Sequence, residues 1–322
     1  MKSSLKSSPG TWSSGRRRPR EQSVHRRSER RHALLFLAPA GLLLIGVFLL
    51  PTLVTFVISL EPQGVNPTPS EVLAPENLSQ SGLQNYERSL SDSVWLNSLR
   101  TTVIFGAGMT VLGVLVSLAL AVLINRVRRG RAVLLALVLI PWAVPPVVSG
   151  TTWGLVVHGD IGTLNGVLEA SGLIDTYQVW LGEPISALTA VIVATTWRYV
   201  PLMTLLLLAG LQQLERESYE AASVDGANTW QQFTHITLPG LRPMLLTVGV
   251  LSLIWSTKVF DEIWVLTGGG PANGTTVMNL WAYRQAFEFL RFGYGAALAY
   301  QLALATGVLA VLYFLVARRA DR

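Results

Sequence analysis

The chain has 322 residues, of which 50% are hydrophobic and only 14% are charged, and its mean hydropathy is positive. This composition excludes an ordinary soluble domain and indicates a protein that crosses a membrane several times. Basic residues outnumber acidic ones 25 to 19, an excess that positive charge at the cytoplasmic face of a membrane explains better than binding to nucleic acid. Because there is no cysteine, disulfides, thiolate metal sites and a thiol nucleophile are excluded.

The N-terminal residues 1–32 are rich in Ser, Pro and Arg and contain ten of the basic residues. We predict a disordered cytoplasmic tail that lies near anionic lipid and binds no nucleic acid, since no folded element accompanies the charge. The following segment, 33–60, is almost uncharged and long enough to cross a bilayer. Residues 61–98 contain several prolines and are predicted as an external loop that ends in a short surface helix over 83–90.

Further apolar segments predict more helices that cross the membrane. They cover about 99–125, 132–153, 185–210, 241–266 and 293–317, so that with 33–60 there are six transmembrane helices in a domain of residues 33–318. Helices are required because backbone polar groups cannot stay unpaired in lipid, and the fold class is therefore an all-α membrane protein. An inner N-terminus places 19 of the 25 Lys and Arg residues on the inner side, which predicts that both termini are cytoplasmic.

Charged residues inside the predicted spans are few. Arg198 lies near the middle of the fourth span, where a charge costs roughly 3 kcal/mol or more, so it should face the bundle interior or a water-filled path. An ion pair between spans and contact with a solute both remain open for it. In the fifth span, Lys258, Asp261 and Glu262 fall on one helix face, where a local salt bridge and a role in transport are again both open.

Other patterns argue against chemistry in this chain. The stretch 268–271 is rich in glycine but no Lys follows it and no strand precedes it, so we reject a phosphate-binding loop. The histidines are too dispersed for a metal site or a nucleophile and base pair, and we predict neither an enzyme nor a metal site; they are His25, His32, His158 and His235. Prolines at 141, 145 and 146 must interrupt the third span.

The most informative stretch is Glu220–Pro243, a polar segment in the predicted cytoplasmic loop 211–240. Gly226 can adopt the left-handed conformation that ends a helix. Asn228 and Gln231 have the spacing of a capping box, which predicts that a second helix begins there.

The end of this second helix is predicted from Pro239 and Pro243, which cannot donate backbone hydrogen bonds and should stop it. The alternative is an ordinary connecting loop with local helix.

The segment resembles the EAA motif of binding-protein-dependent ABC importer permeases, which reads E-A-A, three residues, G, nine residues, I-x-L-P. Each fixed position is matched, by Glu220, Ala221, Ala222, Gly226, Ile236, Leu238 and Pro239. The resemblance extends from about residue 35 to residue 318. Flanking stretches resemble the carbohydrate-uptake branch, with its maltose-type and glycerol-phosphate-type permeases; they are 82–86, 139–142, 197–208 and 258–271.

This resemblance implies a type I importer permease fold and a coupling helix that docks into a groove of a cytoplasmic ATPase. It gives Glu220 the charged contact, Ala221 and Ala222 the close approach and Gly226 the turn, with Asp225 in the same segment. The implied partners are a second homologous permease, two ATPase subunits that bind ATP and Mg, and an external solute-binding protein. The chain itself would hold no cofactor and would lie in a prokaryotic cell (inner) membrane.

The implied function is import of a sugar or related polyol by alternating access, although the solute cannot be read from the sequence. Candidate residues of its path are Trp197, Arg198, Tyr199, Trp255, Lys258 and Asp261. Trp153 and Trp264 could also offer aromatic faces to a sugar, but Trp and Tyr are equally typical of membrane interfaces. An ion-coupled secondary transporter is the alternative; it requires acidic residues deep in the spans, which are nearly free of them. A membrane scaffold would leave the motif unexplained.

Overall fold

A computed structural model describes residues 36–61, 82–127 and 129–320. Every regular element in these ranges is a helix. The chain divides into two compact units, Met1–Thr55 and Phe56–Arg322. The predicted basic tail and most of the proline-rich part of the predicted external loop lie outside the described residues.

The first unit contains most of helix α1 (Phe36–Ser59), whose large apolar side chains are mostly exposed, as in a helix that faces lipid. A π-helical stretch, Leu44–Leu49, lies just before Pro51. Proline has no N–H to continue an α-helical ladder, and the wider turn before it lets the helix pass through this residue.

The second unit contains the remaining helices. They are α2 (Gln84–Ser89), α3 (Ser93–Arg126), α4 (Arg131–Ala143), α5 (Pro146–Val156), α6 (Thr163–Ala170), α7 (Pro184–Leu211), α8 (Arg216–Val224), α9 (Thr229–Gly240), α10 (Arg242–Ser256), α11 (Asp261–Leu266), α12 (Met278–Tyr283) and α13 (Phe292–Ala320). Among the described residues, α1, α3, α7 and the first part of α13 are long and apolar enough to cross a membrane. The bent pairs α4–α5 and α9–α10 raise the four candidate spans to six if each pair is one span.

Helices α3 and α7 form the centre of the second unit, and α10 packs beside α3. Glycines in α3 allow the close approach: a Cβ at Gly113 would lie 2.8 Å from Met203 Sδ of α7, and one at Gly106 would lie 2.7 Å from Ser256 Oγ of α10. Phe105 is fully buried between them. With 34 residues, α3 is about 51 Å long and reaches from one end of the unit to the other.

The predicted interruption of the third span is confirmed. Helices α4 and α5 meet at an angle of 93°. Pro141 is tolerated near the end of α4, whereas Pro145 and Pro146 cap and begin α5, where no N–H is needed for an intrahelical bond.

The predicted fifth span, 241–266, is wrong as a single helix. Helix α10 ends at Ser256, and α11 begins only at Asp261 after a non-helical connection. This break allows α11 to direct Glu262 inward, where it forms a buried ion pair with Arg198.

One carboxylate organises the end of the unit where α3 begins. Asp92 Oδ1 accepts hydrogen bonds from the backbone N–H groups of Val94 and Trp95 at 2.9 and 3.1 Å, and so caps the helix. Asp92 Oδ2 accepts hydrogen bonds from Trp281 Nε1 at 3.1 Å and from the Tyr294 hydroxyl at 2.7 Å. Burial by itself raises the pKa of Asp92, but these hydrogen bonds outweigh it and hold the pKa below its ordinary value of 3.8.

Candidate functional site

The segment Glu220–Pro243 contains the two helices that its sequence predicts, α8 and α9. Between them Gly226 has φ +82°, in the left-handed region. The capping box is also confirmed: Gln231 N donates to Asn228 Oδ1 at 2.9 Å, and Asn228 N donates to Gln231 Oε1 at 2.8 Å. Local backbone chemistry therefore fixes the angle between the helices.

The EAA residues themselves lie on the surface of α8. Glu220 Oε1 is 3.2 Å from Arg216 Nε, one turn earlier, and the two side chains are 68% and 80% exposed. An exposed pair of this kind contributes about 0.5 kcal/mol at most, so the Glu220 carboxylate remains accessible. Ala221 and Asp225 are exposed and Ala222 is half-buried.

Side-chain hydrogen bonds hold the two helices against each other. The hydroxyls of Tyr219 in α8 and Thr237 in α9 are 2.9 Å apart. Gln232 Nε2 donates to Ser223 Oγ at 2.9 Å and to the carbonyl of Ala227 at 3.2 Å. Together with the capping box, these contacts brace α8 and α9 as one body.

The predicted end of the second helix is wrong in detail. Helix α9 passes through Pro239, because a π-helical turn, Phe233–Thr237, precedes it as another precedes Pro51. It ends at Gly240, and the chain bends by 65° into α10. Pro243 lies in the first turn of this next helix instead of stopping α9, since the first turn needs no N–H there.

The I-x-L-P part of the motif lies in this last stretch of α9. Ile236 is half-buried, whereas Leu238 is 38% exposed and Pro239 is also exposed. The motif therefore contributes to the surface at both ends of the helix pair.

Two large apolar side chains on the pair were not identified from the sequence as surface residues. Val224, at the end of α8, is 89% exposed, and Trp230, in the first turn of α9, is 71% exposed. The Trp230 ring packs on Phe233, with 5.7 Å between ring centroids. Exposed apolar groups beside a polar motif are typical of a protein contact. In the sequence, both residues are marked by their position, since each is an apolar residue at the end of its helix that is next to the Gly226 turn.

The inner side of the helix pair adjoins the C-terminal end of α3. A cavity of about 250 Å³ lies between them, lined in part by Asn125 and Arg126 of α3 and by Tyr219, Gln232 and Phe233 of the pair. The helix pair therefore lies beside the C-terminal end of the longest described helix of the second unit.

Arg198, the candidate path residue in α7, is buried in a network of its own. Its Nε donates to Glu262 Oε1, and the two side chains are 12% and 2% exposed. Its guanidinium also lies 4.5 Å from the ring centroid of Tyr199, which in turn stacks on Trp255 at 5.4 Å. The sequence left open an ion pair between spans and contact with a solute for Arg198. This geometry is that of an ion pair between two helices.

The predicted charged face of Lys258, Asp261 and Glu262 does not form. Lys258 is exposed in the connection before α11, and Asp261 is exposed in the first turn of that helix. Among the described residues, neither forms an ion pair with the other, and Glu262 pairs with Arg198. The broken fifth helix is the cause, because it removes the spacing that would place the three on one face.

The other aromatic candidates, besides Tyr199 and Trp255, form two groups. Trp197, which is 37% exposed, packs edge to face on Trp153 with 6.1 Å between centroids. Trp264 stacks on Phe260 at 5.7 Å and packs on Tyr283 at 5.5 Å. Trp197 and Trp153 thus offer an accessible aromatic surface next to the Arg198 network.

The glycine-rich stretch 268–271 uses its polar groups internally. Thr276 Oγ1 donates to the Gly269 carbonyl at 2.9 Å, and Arg284 donates to the Gly268 carbonyl. A Cβ at Gly269 would lie 2.6 Å from Thr276 Oγ1, which requires glycine at this position. The stretch is a tightly packed turn. In the described ranges no cluster of three His, Asp or Glu residues suits a metal ion.

Comparisons with known proteins identify the family. The family described as "Binding-protein-dependent transport system inner membrane component" matches residues 94–322. The trehalose/maltose transport system permease protein MalF of Thermococcus litoralis is 39% identical over 265 residues, which cover 82% of this chain and 86% of that protein. The lactose transport system permease protein LacF of Rhizobium radiobacter is 33% identical over 290 residues, covering 88% and 93%.

A solved structure shows the same fold. A chain of a bacterial ABC transporter involved in the import of the acidic polysaccharide alginate superposes with a TM-score of 0.75 at 20% identity, covering 94% of this chain and 100% of that one. Since the family matches well over half of the sequence and the relatives align over most of their length, the chain belongs to the binding-protein-dependent transport system inner membrane components, the permease subunits of ABC importers.

Proposed function

We propose that this chain is one permease subunit of an ATP-driven importer, which moves a sugar or related polyol from an external binding protein into the cytoplasm by alternating access. The observation that supports this most is the α8–α9 helix pair. In a member of this family, it exposes most residues of the EAA motif, Glu220 among them, while hydrogen bonds brace it from within.

The helix pair is, in this proposal, the contact with a cytoplasmic ATPase. Glu220 supplies an accessible charge, and Val224 and Trp230 supply exposed apolar area of the kind that anchors a helix in a groove. Ala221 lets the partner approach closely, and Gly226 sets the angle between the helices. Asp225 adds a second exposed carboxylate, at the end of α8.

The assembly would contain a second, homologous permease, two ATPase subunits and the external binding protein. ATP and Mg would be bound by the ATPases, and hydrolysis would be their reaction. This chain would respond mechanically: ATPase closure displaces the braced pair, and its position beside the C-terminal end of α3 and the bend into α10 pass the displacement to these two helices.

The membrane topology consistent with this has six spans and both termini in the cytoplasm. It counts each bent pair as one span, and the placement of 19 of 25 Lys and Arg residues on the inner side supports it. A chain without cysteine allows a direct check. A single cysteine placed at Gly130 should react with an impermeant thiol reagent only from the cytoplasmic side, and one at Gly172 only from outside; the reverse pattern would contradict the topology.

The solute class is inferred from the relatives, whose names specify trehalose, maltose and lactose. The accessible Trp153 and Trp197 pair offers the aromatic surface on which sugar rings stack. In this proposal the buried Arg198–Glu262 pair holds this aromatic surface in position, and the stacked rings of Tyr199 and Trp255 extend it. Lys258 and Asp261, both exposed, would lie nearer the mouth of the path.

The coupling role is tested by Glu220→Arg. Reversing this charge should leave the chain folded, because its ion pair is exposed, but should reduce both copurification of the ATPase from native membranes and uptake by about tenfold. Glu217→Arg is the matched control, since Glu217 is also an exposed acidic residue of α8 but lies outside the motif. A specific contact through Glu220 would be contradicted if both variants lost copurification and uptake equally, or if neither variant lost them.

The solute and its path are tested by uptake into vesicles that contain the assembly purified from native membranes. We expect ATP-dependent uptake of one or more of trehalose, maltose and lactose, and Trp197→Ala should raise KM several-fold with little change in basal ATP hydrolysis. Uptake driven by an ion gradient without the ATPase would instead support a secondary transporter.

A further inference from the structure

A polar cavity lies at the end of the second unit where α3 begins, far from the α8–α9 pair. Its volume is about 420 Å³, and it lies between the turn that joins α2 to α3 and the turn that joins α12 to α13. Arg88, in the last turn of α2, and Ser91, just after it, line the cavity on one side. On the other side it is lined by Gln285, in the π-helical turn Arg284–Glu288 that follows α12, and by Arg291. None of these residues belongs to the coupling segment or to the candidate solute path.

The two arginines that line the cavity have no carboxylate partner among the described residues. The ion pairs found there involve Arg198, Arg216 and Arg284 instead. The Arg88 guanidinium lies 4.6 Å from the Tyr294 ring centroid, a contact that leaves its N–H donors free. Arg291 Nη1 makes only a long hydrogen bond, 3.5 Å, to Gln285 Oε1.

The second wall is built into the fold. Gln285 is only 2% exposed although it is polar, and its amide borders the cavity. Its backbone carbonyl accepts from the Arg291 N–H at 2.8 Å, which fixes the turn that carries the arginine. The Arg291 side chain is exposed, but the turn that carries it is fixed by this backbone bond to a buried residue.

Asp92 also lines the cavity but does not neutralise both arginines. Both of its oxygens already accept hydrogen bonds, two from the backbone at the start of α3 and two from Trp281 and Tyr294. With two guanidinium groups and one engaged carboxylate, the lining has a net positive charge, and its unused donors suit an oxyanion.

The rim of the cavity is apolar on one side. Phe289 lines the cavity and is 48% exposed, and its chain neighbours Phe287 and Leu290, on the same connection between α12 and α13, are 63% and 53% exposed. Exposed aromatic and aliphatic groups at the end of a membrane-spanning bundle are typical of the level at which lipid headgroups meet acyl chains. A free phosphate ester would use the arginines but not this rim.

We propose that the cavity binds the phosphodiester of a membrane phospholipid, with Arg88 and Arg291 on the phosphate oxygens, the Ser91 and Ser93 hydroxyls near the headgroup, and the acyl chains against the Phe289 side. The proposal requires only that the chain spans a membrane, and it does not depend on the transported solute or on the ATPase contact. A lipid bound here joins the start of α3 to the start of α13.

The test uses the full chain purified in detergent and native mass spectrometry with added phosphatidylglycerol. The wild-type chain should retain one lipid that the double variant R88Q/R291Q binds about tenfold more weakly. Arg100→Gln is the matched control, because Arg100 is an exposed arginine of α3 outside the cavity. Thermal midpoints of all variants should agree within a few degrees, which separates loss of binding from loss of fold.

Competition separates the sources of the phosphate. Inorganic phosphate and glycerol phosphate should not displace the lipid at millimolar concentration, and diacylglycerol, which has no phosphate, should not bind. Displacement of the lipid by free phosphate would overturn the proposal and show that the cavity binds a small anion. Equal retention by R88Q/R291Q and Arg100→Gln would remove the site altogether. If R88Q/R291Q retained the lipid as the wild-type chain does but captured the purified external binding protein more weakly, the arginines would belong to a protein contact.

Discussion

The two ends of α3 are built in opposite ways. At its first residue, the Asp92 carboxylate gathers donors from α3, α12 and α13, so that one side chain joins distant parts of the second unit. At its last residue, Arg126, the neighbouring α8–α9 pair is braced internally but directs Glu220, Val224 and Trp230 outward. At one end the central carboxylate forms its hydrogen bonds inside the chain, and at the other the Glu220 carboxylate is left accessible.

This difference separates stability from function along one helix. Changes to Asp92 itself should lower the free energy of unfolding, because they remove hydrogen bonds that exist in the chain alone. Changes to the exposed side chains of the α8–α9 pair should cost less stability and more transport, because the contacts they remove form only in the assembly. If a change on the exposed face of the pair lowered stability as much as a change to Asp92, the two ends of α3 would not be independent.

The largest expected loss of stability follows from Asp92→Ala. It removes an N-cap and leaves Trp281 Nε1 and the Tyr294 hydroxyl without an acceptor, which together cost about 3 kcal/mol. The thermal midpoint in detergent measures this loss. Glu169→Ala, at an exposed carboxylate of α6, should change the midpoint by little. A midpoint as high as that of the control would contradict the anchoring role.

The same carboxylate makes the stability of the folded chain depend on pH. The pKa of Asp92 is lower in the folded chain than its ordinary value of 3.8, so the folded state binds fewer protons near that pH. Its contribution to stability is therefore complete above about pH 4 and is lost as the pH falls through the lowered folded pKa. Asp92→Asn should lack this acid-induced component, and its midpoint should fall less than that of the wild-type chain on acidification.

A smaller loss of stability is expected from Gly226→Val. A β-branched residue at φ +82° costs about 1–2 kcal/mol, with no steric contact to add to it, since a Cβ there meets nothing within 4 Å. Uptake should nevertheless fall at least about tenfold, because the angle between α8 and α9 changes.

Gly130→Val is the matched control, since Gly130 has φ +78° and equally open surroundings. Both variants should lose similar stability, and only Gly226→Val should lose uptake. If uptake fell equally in both, backbone strain alone would explain the effect, and the helix pair would have no special role.

The sequence was sufficient where a feature depends on neighbouring residues. Gly226, Asn228 and Gln231 lie within six positions of one another, so backbone preference and capping predict the turn and the second helix. Pro239 was mispredicted because a π-helical turn compensates for the missing N–H, and nothing in local propensity indicates that turn.

Features that depend on distant residues could not be predicted. Asp92 is 189 and 202 positions from its partners Trp281 and Tyr294, and its only local signal is its place before an apolar helix. For Arg198 the sequence predicts only the bundle interior or a water-filled path, because a charge in a span is costly, and it leaves an ion pair and a solute contact both open. Glu262, 64 positions away, became its ion-pair partner only through the break after α10, which periodicity did not predict.

The smallest expected change is at the brace between the two helices. Tyr219→Phe removes the hydrogen bond to Thr237 and keeps the ring, so it should cost about 1 kcal/mol, and Thr237→Val should cost a similar amount. Because the two groups contact each other, the double variant should lose less than the sum of the single variants, with a coupling of about 1 kcal/mol in thermal unfolding. Uptake should fall in each single variant even though stability hardly changes, since a looser pair transmits less of the ATPase movement to α3. Additive losses would place the two hydroxyls in separate interactions, and unchanged uptake would show that the capping box alone keeps the pair rigid.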